Sequence, residues 1–258
     1  MKKNKKNKIN TLMLCCVMSL SMTFYSCDIV DDILEDVEEN TDVPEPNINN
    51  GLVYYSTFDD GSAINVLSGA DLNGVFVNNP DIITDTPNGK GKAVLINSLK
   101  NQWMTIPGDP LHKQYENFAI SFWIKDFSVG NIILALDNGK IVGPTISANG
   151  DNFFNVEIQH SLLKDVEFGG YSYNAIQDGK WHQVAVNAVT TDDERYMELY
   201  VDGRRVDMAK FYAFNVYLQK FQIGSDSDGV SIFKFDNIRF YNRSLTSEEA
   251  KMIYDTEK

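Results

Sequence analysis

From Gly51 to the C-terminus the chain reads as short runs rich in Val, Ile, Phe, Tyr and Trp, cut at intervals by turn residues. Runs of that length, bounded by Gly, Asn, Asp and Pro, predict strands rather than helices. They fall near 52–58, 73–78, 92–97, 102–106, 117–127, 131–137, 152–160, 181–190, 195–202, 204–208, 218–224 and 230–242. Nine glycines directly follow Asn or Asp, at Asn50-Gly51, Asp60-Gly61, Asn73-Gly74, Asn88-Gly89, Asn138-Gly139, Asn149-Gly150, Asp178-Gly179, Asp202-Gly203 and Asp228-Gly229. Both central residues of a type I′ turn have positive φ, which these residues tolerate best, so the dipeptides predict tight antiparallel hairpins.

Two strands indicate how the core is made. Along 195–202, Met197, Leu199 and Val201 point one way and Tyr196, Glu198, Tyr200 and Asp202 the other, which predicts a sheet wet on one face. Along 117–125, Phe118, Ile120, Phe122 and Ile124 alternate with Ala119, Ser121 and Trp123, so this strand is expected to be central and covered on both sides. Only one segment carries helix caps: Thr246-Ser247-Glu248-Glu249 is a capping box, and the helix it starts puts Ala250 and Ile253 on one side. A dozen antiparallel strands in one open sheet would leave an apolar face in water, so the fold is predicted to be all-β, a two-sheet sandwich with a short C-terminal helix.

Charge divides the chain differently. The whole carries 23 Lys+Arg against 36 Asp+Glu, a net of -13, which argues against a nucleic-acid partner because phosphate neutralisation needs a basic surplus on one face. Residues 1–26 hold five lysines and no acid, and then an uncharged apolar stretch from Thr11 to Phe24 that is the length of a signal-peptide core. Nine acids lie between Asp28 and Asn50, with no Lys or Arg, and Pro44 and Pro46 stiffen the end of that run; it reads as a solvated tether. The expected organisation is a signal peptide over 1–26, a tether over 27–50 and one domain over 51–258.

Phe24-Tyr25-Ser26-Cys27 resembles the lipobox of bacterial lipoproteins, with Phe24 where Leu is usual and Tyr25 where a smaller residue is usual. The resemblance implies lipidation of Cys27. Cys15 and Cys16 would leave with the signal, so Cys27 would otherwise be an unpaired thiol in an oxidising compartment. Acids soon after the lipidated Cys resemble the surface-export signal of some Gram-negative lipoproteins, which implies an exported outer-membrane lipoprotein, cell-surface exposed and membrane-bound through its lipid.

The series Gly51–Asp60, Gly91–Ile96, Phe118–Ile124, Trp181–Ala185, Leu199–Gly203, Gln222–Gly224 and Phe235–Leu245, followed by the capped helix, resembles the laminin-G-like branch of the concanavalin A-like lectin/glucanase jelly rolls over essentially all of 51–256. Phe233 stands where that family often has Gly. The resemblance implies a jelly-roll sandwich. It also implies a structural Ca2+ near the loop after the first strand and the strand before the closing helix, at Asp59, Asp60 and Asp236, with Asn73 as a carbonyl donor.

Since the superfamily contains hydrolases, catalysis is the first function to test. Retaining glucanases of this fold carry two Glu on one strand with an Asp between, and no Glu in this chain is followed two positions later by Asp. Ile158-Gln159-His160 has the residues of an alginate-lyase Gln-Ile-His segment in another order, His112 falls in a loop, and His182 belongs to the structural Trp181-His182 strand. The chain is therefore expected to be no enzyme. A pyranose presents an apolar face and a ring of hydroxyls, so glycan sites pair aromatic platforms with amides and carboxylates. Trp103, Tyr171, Tyr173, Phe211 and Tyr212 are the candidate platforms, with Tyr196, Tyr200 and Tyr217 behind them, and Gly169–Tyr173 and Phe211–Phe214 are expected to be the loops that present rings. The expected role is a non-catalytic, surface-tethered glycan-binding lipoprotein; the alternative is a protein-interaction, assembly or adhesion subunit of an outer-membrane complex, and after it a polysaccharide hydrolase or lyase.

Overall fold

The computed structural model describes residues 45–67, 72–108, 117–137, 140–148, 153–160, 163–172, 176–210, 220–224 and 230–258; residues 137, 140–144, 153–154, 157–160 and 163–172 enter as backbone only. The compact unit runs from Pro46 to Lys258. Its strands are β1 (Leu52–Ser56), β2 (Val75–Val77), β3 (Asp81–Ile83), β4 (Ala93–Asn97), β5 (Trp103–Pro107), β6 (Phe118–Lys125), β7 (Gly130–Asp137), β8 (Lys140–Ala148), β9 (Phe153–His160), β10 (Leu163–Ser172), β11 (His182–Thr190), β12 (Arg195–Val201), β13 (Arg204–Lys210), β14 (Lys220–Ile223) and β15 (Ile232–Tyr241). The helix α1 spans Ser247–Glu257.

The strands form two antiparallel sheets, a jelly-roll sandwich. The first runs β13-β12-β11-β6-β15-β4-β3, with β1 also on β15; the second runs β10-β9-β8-β7-β14-β5-β2. Between them lies one apolar core that includes Phe122, Phe235 and Phe240 of the first sheet and Phe221, Ile133 and Ile146 of the second. The Phe122 and Phe235 rings stack at 5.1 Å. Phe233, the departure from the family pattern, is also in this core.

The hairpin chemistry works as the dipeptides predict at Asp202-Gly203. Both residues have positive φ, 50° and 72°, and Val201 pairs directly with Arg204. The capping box forms too: the Glu249 N–H donates to Thr246 Oγ1 at 3.1 Å and the Thr246 N–H to Glu249 Oε2 at 2.9 Å.

β6 is buried from Phe118 through Ile124, as a central strand covered on both faces must be. The wet face expected for β12 needs correction. Met197, Leu199 and Val201 do face the core, but Glu198 and Tyr200 are buried as well, because α1 lies on that side and Ala250 packs against Tyr200 and Ala185. Alternation along one strand shows which residues share a face; it cannot show that a distant helix covers the polar one. A second correction concerns 169–172, expected as a ring-presenting loop: these residues belong to β10, and the ladder to β9 absorbs Gly169-Gly170 as a register shift between Phe168 and Tyr171.

Candidate functional site

β15 changes neighbours halfway along. Its first part, 232–235, pairs with β4, and its last part, 238–241, pairs with β1. Asp236 and Asn237 sit at the change, where the register against β6 shifts and Asn237 takes φ 49°. The kink opens a cleft of about 200 Å³ lined by Tyr55, Asp59, Asn88, Lys90, Asp236 and Thr256, among others. Asp59 is held there by the Lys92 N–H, which donates to its Oδ1 at 3.0 Å. Gly91, at φ 75°, must be Gly, because a Cβ would lie 1.8 Å from that same oxygen.

Asp236 is 3% exposed and accepts the Asn237 N–H at 2.8 Å. Burial pushes its carboxyl up to about 8, against the pull of that N–H, and the nearby Asp59 charge adds to the rise. Neighbouring Glu257 is already committed. It accepts the Trp123 indole N–H at 2.7 Å, pairs with Arg239, and accepts the Tyr55 hydroxyl at 3.4 Å, while the Arg239 guanidinium lies 3.9 Å over the Tyr55 ring.

Of the four residues expected around a cation, the structure brings Asp59 and Asp236 to one cleft. Asp60 is exposed and closes its own turn, accepting the Ser62 N–H at 2.8 Å and hydroxyl at 2.7 Å. Asn73 Oδ1 accepts the Asn65 N–H at 3.1 Å, away from the cleft. A hard cation takes six to eight oxygens, and among the described residues no three His, Cys, Asp or Glu side chains gather to hold a metal. The fit is partial: two carboxyl groups, one of them made harder to ionise by burial.

Trp103 lies elsewhere, on the outer face of the second sheet, opposite to the face that Met104 and Ile106 turn to the core. The ladder continues this face strand by strand. Thr105 pairs with Gln222, Gln222 with Leu134 and Leu134 with Thr145, while Ser147 pairs with Asn155. Gln222, Thr145 and Asn155 are at least nine-tenths buried, and the Thr145 hydroxyl has no hydrogen-bond partner. Trp103 thus lies on the same face as Thr105, two residues along β5, and the row from Thr105 and Gln222 to Thr145 is interrupted by Leu134.

The same ladder carries a pair that inspection of single strands cannot find. Thr145 pairs with Glu157, and Glu157 with Glu167 across β9 and β10. Tyr171 stands opposite Phe154, and His160 opposite Leu163 at the strand ends. Their side chains, and all of Cys27, His112, Tyr173, Phe211, Tyr212 and Tyr217, lie outside the described residues. Tyr196 is half-buried, and Tyr200 is buried and donates its hydroxyl to Glu198 at 2.9 Å under α1, so Tyr200 is no free platform. His182 is set between two carboxylates at the start of β11.

A family model described as the concanavalin A-like lectin/glucanases superfamily matches residues 98–251. No curated protein matches in sequence. Among solved structures, the binding domain of botulinum neurotoxin DC in complex with SialylT superposes with TM-score 0.65 at 16% identity, over 82% of this chain and 53% of that one. The same toxin domain in complex with rat synaptotagmin II gives 0.66 at 16% identity, with the same coverage. The binding domain of Paraclostridial Mosquitocidal Protein 1 gives 0.65 at 16% identity, over 81% and 53%. The chain thus spans about half the length of these toxin chains, and at this identity the likeness is one of fold.

Proposed function

We infer that this chain, which belongs to the concanavalin A-like lectin/glucanases superfamily, is a non-catalytic glycan-binding domain carried on a tether. The observation that carries the reading is the outer face of the second sheet. There Trp103 supplies an apolar platform, and the half-buried Thr105 and Ser147, with Thr145 behind them, supply hydroxyls, which is the pairing a pyranose asks for. The unpartnered Thr145 hydroxyl is the strongest part of it, because a buried polar group without a partner costs free energy that a ligand hydroxyl would recover.

Three further elements complete the reading. A lipid on Cys27 and the acidic stretch behind it hold the domain at the outer membrane, facing outward. Ca2+ in the cleft, held by Asp59 and Asp236, is structural: when bound it would supply the positive charge that offsets the cost of ionising the buried Asp236 carboxyl. Catalysis is absent, because no strand carries the Glu-x-Asp-x-Glu arrangement of the fold's retaining glucanases. A protein partner is the second reading, favoured by one fact: the binding domain of botulinum neurotoxin DC, similar in fold, forms a complex with rat synaptotagmin II.

A glycan array probed with residues 46–258 tests the proposal. Saccharide binding with no new reducing ends or unsaturated products supports it; silence on the array together with a co-purifying outer-membrane protein moves the assignment to the second reading.

A further inference from the structure

His182 opens β11 with its imidazole almost enclosed, the side chain being 11% exposed. Its Nδ1 lies 2.8 Å from Asp202 Oδ2, in the turn between β12 and β13, and its Nε2 lies 3.2 Å from Asp178 Oδ1, in the loop that follows β10. Each ring nitrogen faces a carboxylate oxygen that can only accept. Both can donate only in the imidazolium form; a neutral ring sets one lone pair against a carboxylate.

The two carboxylates are anchored unequally. Asp202 also accepts the Gln183 N–H at 3.1 Å and is fixed in a two-residue hairpin turn. Among the described residues, Asp178 otherwise bonds only within its own loop, to the Lys180 N–H at 2.9 Å and the Lys180 ammonium at 2.7 Å. The other charges nearby are engaged elsewhere. Lys125, beside the His182 partner Ile124 on β6, pairs with Asp85, and Lys251 of α1, packed on Gly203, pairs with Asp255.

We propose that His182 is a pH-operated latch: protonated, it ties the loop around Asp178 to the turn at Asp202, and on losing a proton it keeps Asp202 and releases Asp178. The shorter contact, to Asp202, retains the remaining N–H. Burial alone would lower the histidine, but the bonds to Asp202 and then Asp178 outweigh it and hold it above its ordinary value of 6.5. The latch therefore opens at a pH above the 6.5 of an ordinary imidazole. It acts on a segment that is otherwise clasped, since Gln177 donates to the Phe127 carbonyl and Trp181 to Asp85 at 3.0 Å on either side of it.

The test is amide exchange at Lys180, normalised to the intrinsic rate, across pH 5.5 to 9 in residues 46–258, with the His182 ring titration followed by NMR. Protection at Lys180 should fall by about threefold, what an exposed ion pair is worth, as the His182 ring titrates above 6.5. In His182→Gln the protection should not vary with pH. Should that variant fail to fold, Asp178→Asn serves instead: the ring midpoint should move down, with no pH step at Lys180. A His182 midpoint at or below 6.5, or a pH step at Lys180 that survives in either variant, overturns the latch.

Discussion

The indole N–H of Trp123 donates to Glu257 Oε2 at 2.7 Å across 134 residues of sequence, tying the central strand of the first sheet to the last turn of α1. The Trp123 and Tyr254 rings stack at 5.7 Å beside that bond, and Arg239 meets the other carboxylate oxygen. Glu257→Ala would leave a buried guanidinium and a buried indole N–H without partners. A loss of about 3 kcal/mol is expected, seen as a melting temperature lower by roughly 10 °C. Unchanged melting would mean that α1 is docked by its apolar face alone.

Asp85 gathers Lys125, Lys234 and the Trp181 indole N–H at 2.7–3.0 Å. Partial burial would raise its carboxyl, but the bonds from Lys125, Lys234 and Trp181 together bring it down to about 2. Its folded value is below its unfolded value of 3.8, so its contribution is present above 3.8 and is lost as the pH falls through 2. Acid unfolding followed by circular dichroism should therefore show parent and Asp85→Asn converging below pH 2 and differing at pH 5 and above. The difference should be small, because the Asp85 side chain is 39% exposed. Curves offset equally at every pH would contradict the assignment.

Calcium in the Asp59–Asp236 cleft would bind the folded state only. At a hundredfold excess over its dissociation constant it should add about 2.7 kcal/mol to stability, and Asp236→Ala should remove that response. Equal melting of the parent in calcium and in chelator would take the metal out of the account.

If Cys27 carries the lipid, the full chain partitions with membranes and Cys27→Ala moves to the soluble fraction. Membrane association that survives the substitution would end the lipoprotein reading.

Much of the fold is legible in residue pattern because strands and turns speak through local chemistry. Asp202-Gly203 declares its hairpin, Thr246 and Glu249 declare the helix start, and the doubly apolar β6 declares its central place. Three strands escape such reading for local reasons. Asp81–Ile83 is only three residues long, Lys140–Ala148 is interrupted by Gly143-Pro144, and Leu163–Ser172 contains Gly169-Gly170, the usual punctuation of loops. The sites are less legible because they arise from register. Asp59 and Asp236 meet only because β15 exchanges β4 for β1, and the row from Thr105 to Thr145 exists only across four paired strands. Trp103 is visible as an aromatic, but the hydroxyls and amides beside it come from strands up to 119 positions away.

The central claim is that the Trp103 face of the second sheet binds sugar without cleaving it. It is tested most directly by measuring, on one glycan retained by the parent, the affinity and the release of reducing ends for the parent, Trp103→Ala and Thr145→Val. A tryptophan anchor carries about 2 kcal/mol, so Trp103→Ala should weaken binding roughly thirtyfold, Thr145→Val should weaken it less, and none of the three should release product. Undiminished affinity in Trp103→Ala, or product formation by the parent that disappears in Glu157→Gln or Glu167→Gln, would contradict the claim.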